Sequence, residues 1–287
     1  MMTNISSVVR RHPIIAFFVL AYAIAWGFVP FGSFGAFGPL IAALVVIPLS
    51  QGRAGLRGLG SRMIRWRVRW YWYAMALGLP LAVVLLTVAL NVALGASVPS
   101  LVQFGSVTTV LMVFAVRLIN PTDGAMGEEP GWRGFALPGL QTTLSPLSST
   151  LILALLVTGW HAPLVFLEEG GLRPSFLVGF LLGTVAVTFW YSWLFNRTGG
   201  SVLITIVAHA TQGTIVIGGF WSAGADVAQA ILLYAIVASA VAIGLVVFDR
   251  KAWRAPAATE TTTPPMIPPR EATPVAPQHP EPQTHIR

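Results

Sequence analysis

The chain has 287 residues, of which 55% are hydrophobic and only 9% charged, and it contains no cysteine. A soluble domain carries roughly 25% charged residues, so a water-soluble globule is excluded. The lack of cysteine removes disulfides, thiolate metal sites and a cysteine nucleophile. The formal charge of +7 does not signal nucleic acid, because the basic residues flank apolar runs. Arg10 and Arg11 precede the first run, Arg53, Arg57, Arg62, Arg65, Arg67 and Arg69 fill one loop, and Arg250, Lys251 and Arg254 follow the last. This is the positive-inside distribution of a membrane protein, and anionic lipid heads account for it.

A hydrocarbon core takes about 20 apolar residues per helix. The uncharged runs then predict helices over 14–31, 37–50, 71–94, 101–119, 147–167, 174–195, 201–220 and 227–248. The first is an uncleaved span and not a secretory signal, because its apolar stretch continues from Ile14 to about Pro30. The second is short and contains Pro39 and Pro48, so it is tilted or stops short of the far side. An amphipathic or re-entrant helix is expected over 127–140. The fold class is therefore an all-α polytopic membrane protein, a bundle of about eight transmembrane helices.

With the N-terminus inside, the arginine loop falls inside after two spans, Asn196 and Arg197 after six, and the basic C-terminal flank after eight. Only Arg173 falls outside, beside Glu168 and Glu169, which read as solvated. The expected organisation is a cytoplasmic N-terminus (1–13), a membrane domain (14–250) and a disordered Pro/Thr-rich tail (251–287), with both termini cytoplasmic in the cell membrane. Such a tail cannot bury enough apolar area to offset its ordering entropy. Trp66, Trp70 and Trp72 beside the arginines read as an interfacial belt.

Ionisable groups at membrane depth are costly and mark function by default. Three places carry them: Glu128, Glu129 and Arg133 in GEEPGWRG, His161 in GWHAPLVF, and His209 in IVAHATQG. Singly, an intramembrane His serves packing as readily as chemistry, and an adjacent Glu pair near an Arg can be an interfacial salt bridge. Jointly, two Glu and two His on three segments make up nearly all the ionisable groups of the helical core, and convergence is the economical reading. On a helix, Glu129 and Arg133 are i and i+4 and would pair. Glu128, about 100° away, would be free to face a cavity. Pro130 suits the first turn of such a helix but biases Glu129 away from helical angles. A carboxylate sharing a water with a neutral His is a plausible general base for hydrolysis.

EEPGWRGFALPGLQ, WHAPLVF and SVLITIVAHATQG resemble the three signature blocks of the CAAX-protease and bacteriocin-processing family of intramembrane endopeptidases, which includes the type II CAAX prenyl proteases. FGPLIAALVVIP and WRVRWYWYAMALGLP resemble that family's N-terminal half, so the likeness runs from about Phe37 to Gln212. It implies a bundle of about eight spans with a polar cavity opening towards the cytoplasm, and cleavage of a peptide bond in a membrane-associated protein or peptide. By that likeness Glu128 and His161 would activate water, His209 would stabilise the oxyanion, and Glu129 and Arg133 would shape the site. Zinc stays open. His161, His209 and Glu128 could supply three ligands beside a water, the count of a catalytic zinc site, although no HExxH spacing is present.

One departure stands out. The family's third block usually has Asn four residues after the His, where this chain has Gly213. Gln212 and Thr205, three residues after and four before His209, are the substitute candidates. A lost oxyanion donor costs about 100- to 1000-fold in rate, so a catalytically weakened scaffold or bacteriocin-immunity-type protein is the rival reading. A proton-coupled transporter would need discontinuous helices in matching halves, and none is evident.

Overall fold

The computed structural model describes residues 2–167, 174–221 and 224–254. Among these the chain is helical with short connections: α1 Met2–Arg11, α2 Pro13–Gly27, α3 Gly38–Met63, α4 Trp70–Ala93, α5 Val107–Ile119, α6 Gly124–Gly131, α7 Leu137–Leu140, α8 Pro146–Trp160, α9 Leu164–Leu167, α10 Pro174–Arg197, α11 Val202–Thr214 and α12 Ala225–Phe248. A π-helical stretch, Trp132–Ala136, joins α6 to α7. The protein is an all-α polytopic membrane protein, with six candidate spans long and apolar enough to cross a bilayer among the described residues.

Two predicted spans come out shorter. The segment predicted over 101–119 is helical as α5 only from Val107, because Gly105 adopts φ 71° and Ser106 caps the helix by accepting from the Thr109 amide. The segment predicted over 201–220 is the 13-residue α11, which ends at Thr214. The second predicted span errs the other way. The helix begun at Gly38 continues past residue 50 to Met63, breaking direction at Gly52 with φ 63° and ψ −157°. Only glycine takes that conformation without strain. Arg53, Arg57 and Arg62 are therefore helical and not in a loop. Leu59 is buried beneath them, and Arg62 donates to the Gly134 carbonyl at 3.2 Å.

Hydrogen bonds between distant segments fix which helix ends lie together. Arg65 donates to Gly199 O and Ser201 to Arg65 O, both at 2.7 Å. Gln141 bonds Asn196, Asn196 bonds Ala252 O, and Trp193 bonds Asp249. The residue 65 turn, Asn196 and the C-terminal end of α12 thus share one end, with arginine side chains on it. At the opposite end Asn91 donates to Asp226 O at 3.0 Å, and Trp221 to Ser97 O at 2.9 Å. Trp26 donates to Trp160 O, setting α2 parallel to α8, so Pro13 starts at the arginine end.

Trp66 and Trp70 are exposed, but Trp72 is buried against Trp193 with ring centroids 5.2 Å apart. Beyond α12, Ala252 and Trp253 are buried, and Trp253 donates to Leu245 O at 2.9 Å. The disordered tail expected over 251–287 thus starts too early, since Arg250–Trp253 is a short helix packed on α12; its part from 255 onward and the Glu168–Glu169 loop with Arg173 lie outside the described residues.

Candidate active site

Asp123 starts the segment that carries the two carboxylates by accepting from the Ala125 amide at α6. Pro130 then sits inside this helix and not in its first turn. Its missing N–H breaks the α-helical ladder, and the backbone widens to π geometry two residues later. Such π insertions recur at functional sites.

The two carboxylates on this helix diverge. Glu129 is fully buried, and its Oε1 accepts from Arg133 Nη1 at 2.9 Å, the i,i+4 pair. Arg133 also donates to Thr188 O at 3.2 Å and lies 5.1 Å over the Tyr191 ring. Glu128 turns the other way, into a cavity of about 520 Å³ that His161, His209, Tyr191 and Gln212 also line. Trp132, directly above Glu128 on the helix, donates its indole N–H to Glu128 Oε2 at 3.1 Å.

His161 is the C-cap residue of α8, which stops there because Pro163 follows two positions later. Its Nδ1 lies 2.9 Å from Val157 O, so that nitrogen carries the proton. In the neutral ring Nε2 is then a lone pair, and it stands 3.7 Å from Glu128 Oε1. His209 on α11 is stacked on Tyr191, with ring centroids 5.3 Å apart. Its Nδ1 lies 3.0 Å from Glu129 Oε1. A methyl group built on Gly124 would be 3.0 Å from both His209 Nε2 and Glu128 Oε1. His161 Nε2 is thus the nearer imidazole nitrogen to Glu128 Oε1, and His209 Nε2 lies farther off beside Gly124.

Gln212 lines the cavity, and its Oε1 accepts from the Tyr191 hydroxyl at 3.2 Å. Thr205 does not reach the site. It is fully buried and donates back to Val202 O at 2.9 Å within its own helix, so it is a core residue. Beside Gly213 the space is taken by Arg117, whose Nη1 would lie 2.7 Å from an added Cβ and which pairs with Asp123 at 2.9 Å.

The donor types suit zinc, since each His has its Nδ1 held and its Nε2 turned to Glu128. Their spacing does not. Among the described residues no three His, Asp or Glu side chains come close enough to hold a metal. The residues as placed therefore do not fit a zinc centre.

The cavity has a direction along the bundle. On α10 its lining runs from Phe176 to Tyr191, and on α11 and beyond from His209 through Val216 to Gly218. These residues lead away from Arg197 and Arg65 towards the Asp226 end, so cavity and arginines occupy opposite ends of the bundle. Sequence reasoning passed over Tyr191 and Thr188, which hold His209 and Arg133, because neither is ionised at neutral pH nor set in a motif. It also missed Tyr234 on α12, although a single Tyr in the last apolar run was a readable signal.

Fold and cluster together define a polytopic membrane protein with a buried acid–imidazole centre facing a largely apolar cavity. Residues 106–215 match the family model for "Type II CAAX prenyl endopeptidase Rce1-like", a stretch that contains Glu128, Glu129, Arg133, His161 and His209. Over that segment the chain is similar to the CAAX-protease family. It is 26% identical over 134 residues to CAAX prenyl protease 2 of Methanococcus maripaludis, a match covering 45% of this chain. The aligned stretch spans about half the length of that curated relative, 49% of it.

Proposed function

We propose that the protein is an intramembrane endopeptidase that hydrolyses a peptide bond of a membrane-associated protein or peptide within the bilayer. The observation that carries this is the position of Glu128 Oε1: buried, open to the cavity, and 3.7 Å from His161 Nε2. Two acceptors facing each other need a hydrogen between them. A water donating to both satisfies them and is thereby aimed as a nucleophile.

As that water attacks the carbonyl carbon, its proton passes to Glu128. The carbonyl oxygen becomes an oxyanion, and the proton returns to the leaving amine as the C–N bond breaks. His209, with Nδ1 donating to the Glu129 carboxylate, carries an N–H on Nε2 only as the imidazolium. In that form it donates to the oxyanion. Glu129 and Arg133 hold His209 and the π segment in place. No step requires a metal.

Positive-inside logic places the arginine end, with both termini, on the cytoplasmic face of the cell membrane. The cavity then lies in the outer half of the bilayer, which revises the cytoplasmic opening that the resemblance implied. The chain has no native cysteine, so single cysteines report sidedness directly. Impermeant maleimide added to intact cells should label Ser97→Cys and not Ser61→Cys, and the reverse pattern would overturn the orientation.

The activity is tested with purified protein in lipid against a membrane-peptide library. Glu128→Gln should lower cleavage about 100- to 10,000-fold, the range of a lost general base. Unchanged cleavage would remove Glu128 from the mechanism. The rival scaffold reading rests on Gly213, where a side-chain donor is missing and Arg117 fills the space. It predicts a wild-type protein inert towards every peptide.

A further inference from the structure

The cavity has a feature that the acid–imidazole centre does not use. Tyr234 of α12 lines it beside Gln212 and Gly183. The residue is 8% exposed, and among the described residues its buried hydroxyl closes no hydrogen bond of regular geometry. It faces Gln212 without closing a bond to it. Gln212 has given its Oε1 to Tyr191, which leaves its amide N–H groups to donate.

An orphan hydroxyl is expensive in this setting. α12 is otherwise strongly apolar, and burying an unpaired O–H forfeits its solvation without return. Phenylalanine would fill the same volume at no such cost. The ring packs on Trp190, with 6.5 Å between centroids. The ring thus lines the cavity and holds its hydroxyl, buried and unsatisfied, behind the wall. Tyr234 also lies outside the matched stretch 106–215, so no family match assigns it a role.

We infer that the Tyr234 hydroxyl and the Gln212 amide form a hydrogen-bonding pair for the backbone of an extended peptide threaded along the α10–α12 wall beside the scissile bond. An extended backbone offers alternating C=O and N–H groups, and inside a membrane those groups need partners. Tyr234 can donate or accept, and Gln212 donates. Phe176, Phe180 and Ile231 continue the wall with apolar surface suited to hydrophobic side chains. Tyr234 is here a substrate-positioning residue, an assignment that rests on the peptidase reading.

The test separates binding from catalysis. The membrane peptide best retained by Glu128→Gln protein in lipid serves as the probe, and its affinity is compared for Glu128→Gln and Glu128→Gln/Tyr234→Phe. The added substitution should weaken binding about fivefold, the scale of one lost hydrogen bond. The melting temperature should hold or rise, because the free protein loses only an unpaired hydroxyl. In the otherwise wild-type enzyme, Tyr234→Phe should raise KM by a similar factor with little change in kcat. Equal peptide affinities would overturn the inference. A clear fall in melting temperature would also overturn it, since the hydroxyl would then have an internal partner. If Glu128→Gln itself cut like the wild type, only the general-base reading would fall, and the affinity ratio would still decide the role of Tyr234. A library from which Glu128→Gln retains nothing would overturn both.

Discussion

The two walls of the cavity are built on opposite principles. On the carboxylate wall every residue from Gly127 to Leu137 is buried, and a charged pair, Glu129–Arg133, is sealed inside it. On the α10–α12 wall, buried, half-buried and exposed residues alternate, and among the described residues the Tyr234 hydroxyl closes no hydrogen bond of regular geometry. A reacting group has to be held to within a fraction of an ångström. A surface that accepts varied side chains needs space and spare hydrogen-bond capacity instead. The difference matches the proposed division, with chemistry on the crowded wall and selection on the looser one.

If the carboxylate wall is rigid because it is crowded, small additions to it should be costly. Gly131 is the sharpest case. A Cβ there would stand 2.5 Å from the Pro39 carbonyl oxygen and 2.6 Å from the Pro39 carbonyl carbon. The obstacle is α3 backbone and not a mobile side-chain tip, so α6 and α3 would have to separate. Gly131→Ala is expected to destabilise the protein by about 1 to 3 kcal/mol, the range for overpacking, and to displace Glu128 with the helix. Thermal unfolding in lipid or detergent, read beside cleavage, checks this. A variant with wild-type melting and activity would mean that the wall yields more easily than its packing implies.

The two walls also differ in how far they could be read from sequence. Glu128, Glu129 and Arg133 stood out because charge is scarce in this chain, and their i,i+4 spacing already implied which carboxylate is tied down and which is free. His161 and His209 stood out for the same reason. The helical class followed from the length of the uncharged runs. The ends of α5 and α11 did not, because the turns at 102–104 and 217–219 are as apolar as the helices they adjoin. Hydropathy cannot see a boundary where composition does not change.

Gly52 hid the continuation of α3 in a similar way, since a glycine among arginines reads as loop when it is in fact a kink. Thr205 and Gln212 shared helical reach to His209, and only the side-chain bonds separated them: Thr205 closes on its own backbone, whereas Gln212 meets Tyr191. Spacing alone ranks neighbours on a face but does not say which of them the face turns towards the cavity.

The selecting wall should tolerate the change that the catalytic wall refuses. At Gly183 an added Cβ meets nothing closer than the Tyr234 ring, at 3.7 Å, an ordinary contact. Gly183→Ala should leave stability within about 0.5 kcal/mol, or raise it slightly through the higher helix propensity of alanine. Its methyl would narrow the cavity in front of Tyr234 while the Glu128–His161 spacing stays as it is. KM should therefore rise for peptides with bulky residues beside the cut and change little for those with small ones, while kcat remains near wild type. Cleavage of a paired Gly- and Phe-containing peptide series measures the split. An equal loss on both peptides, carried by kcat, would mean that α10 supports the chemistry as directly as α6 does, and the division between a fixed wall and an adaptable one would fail.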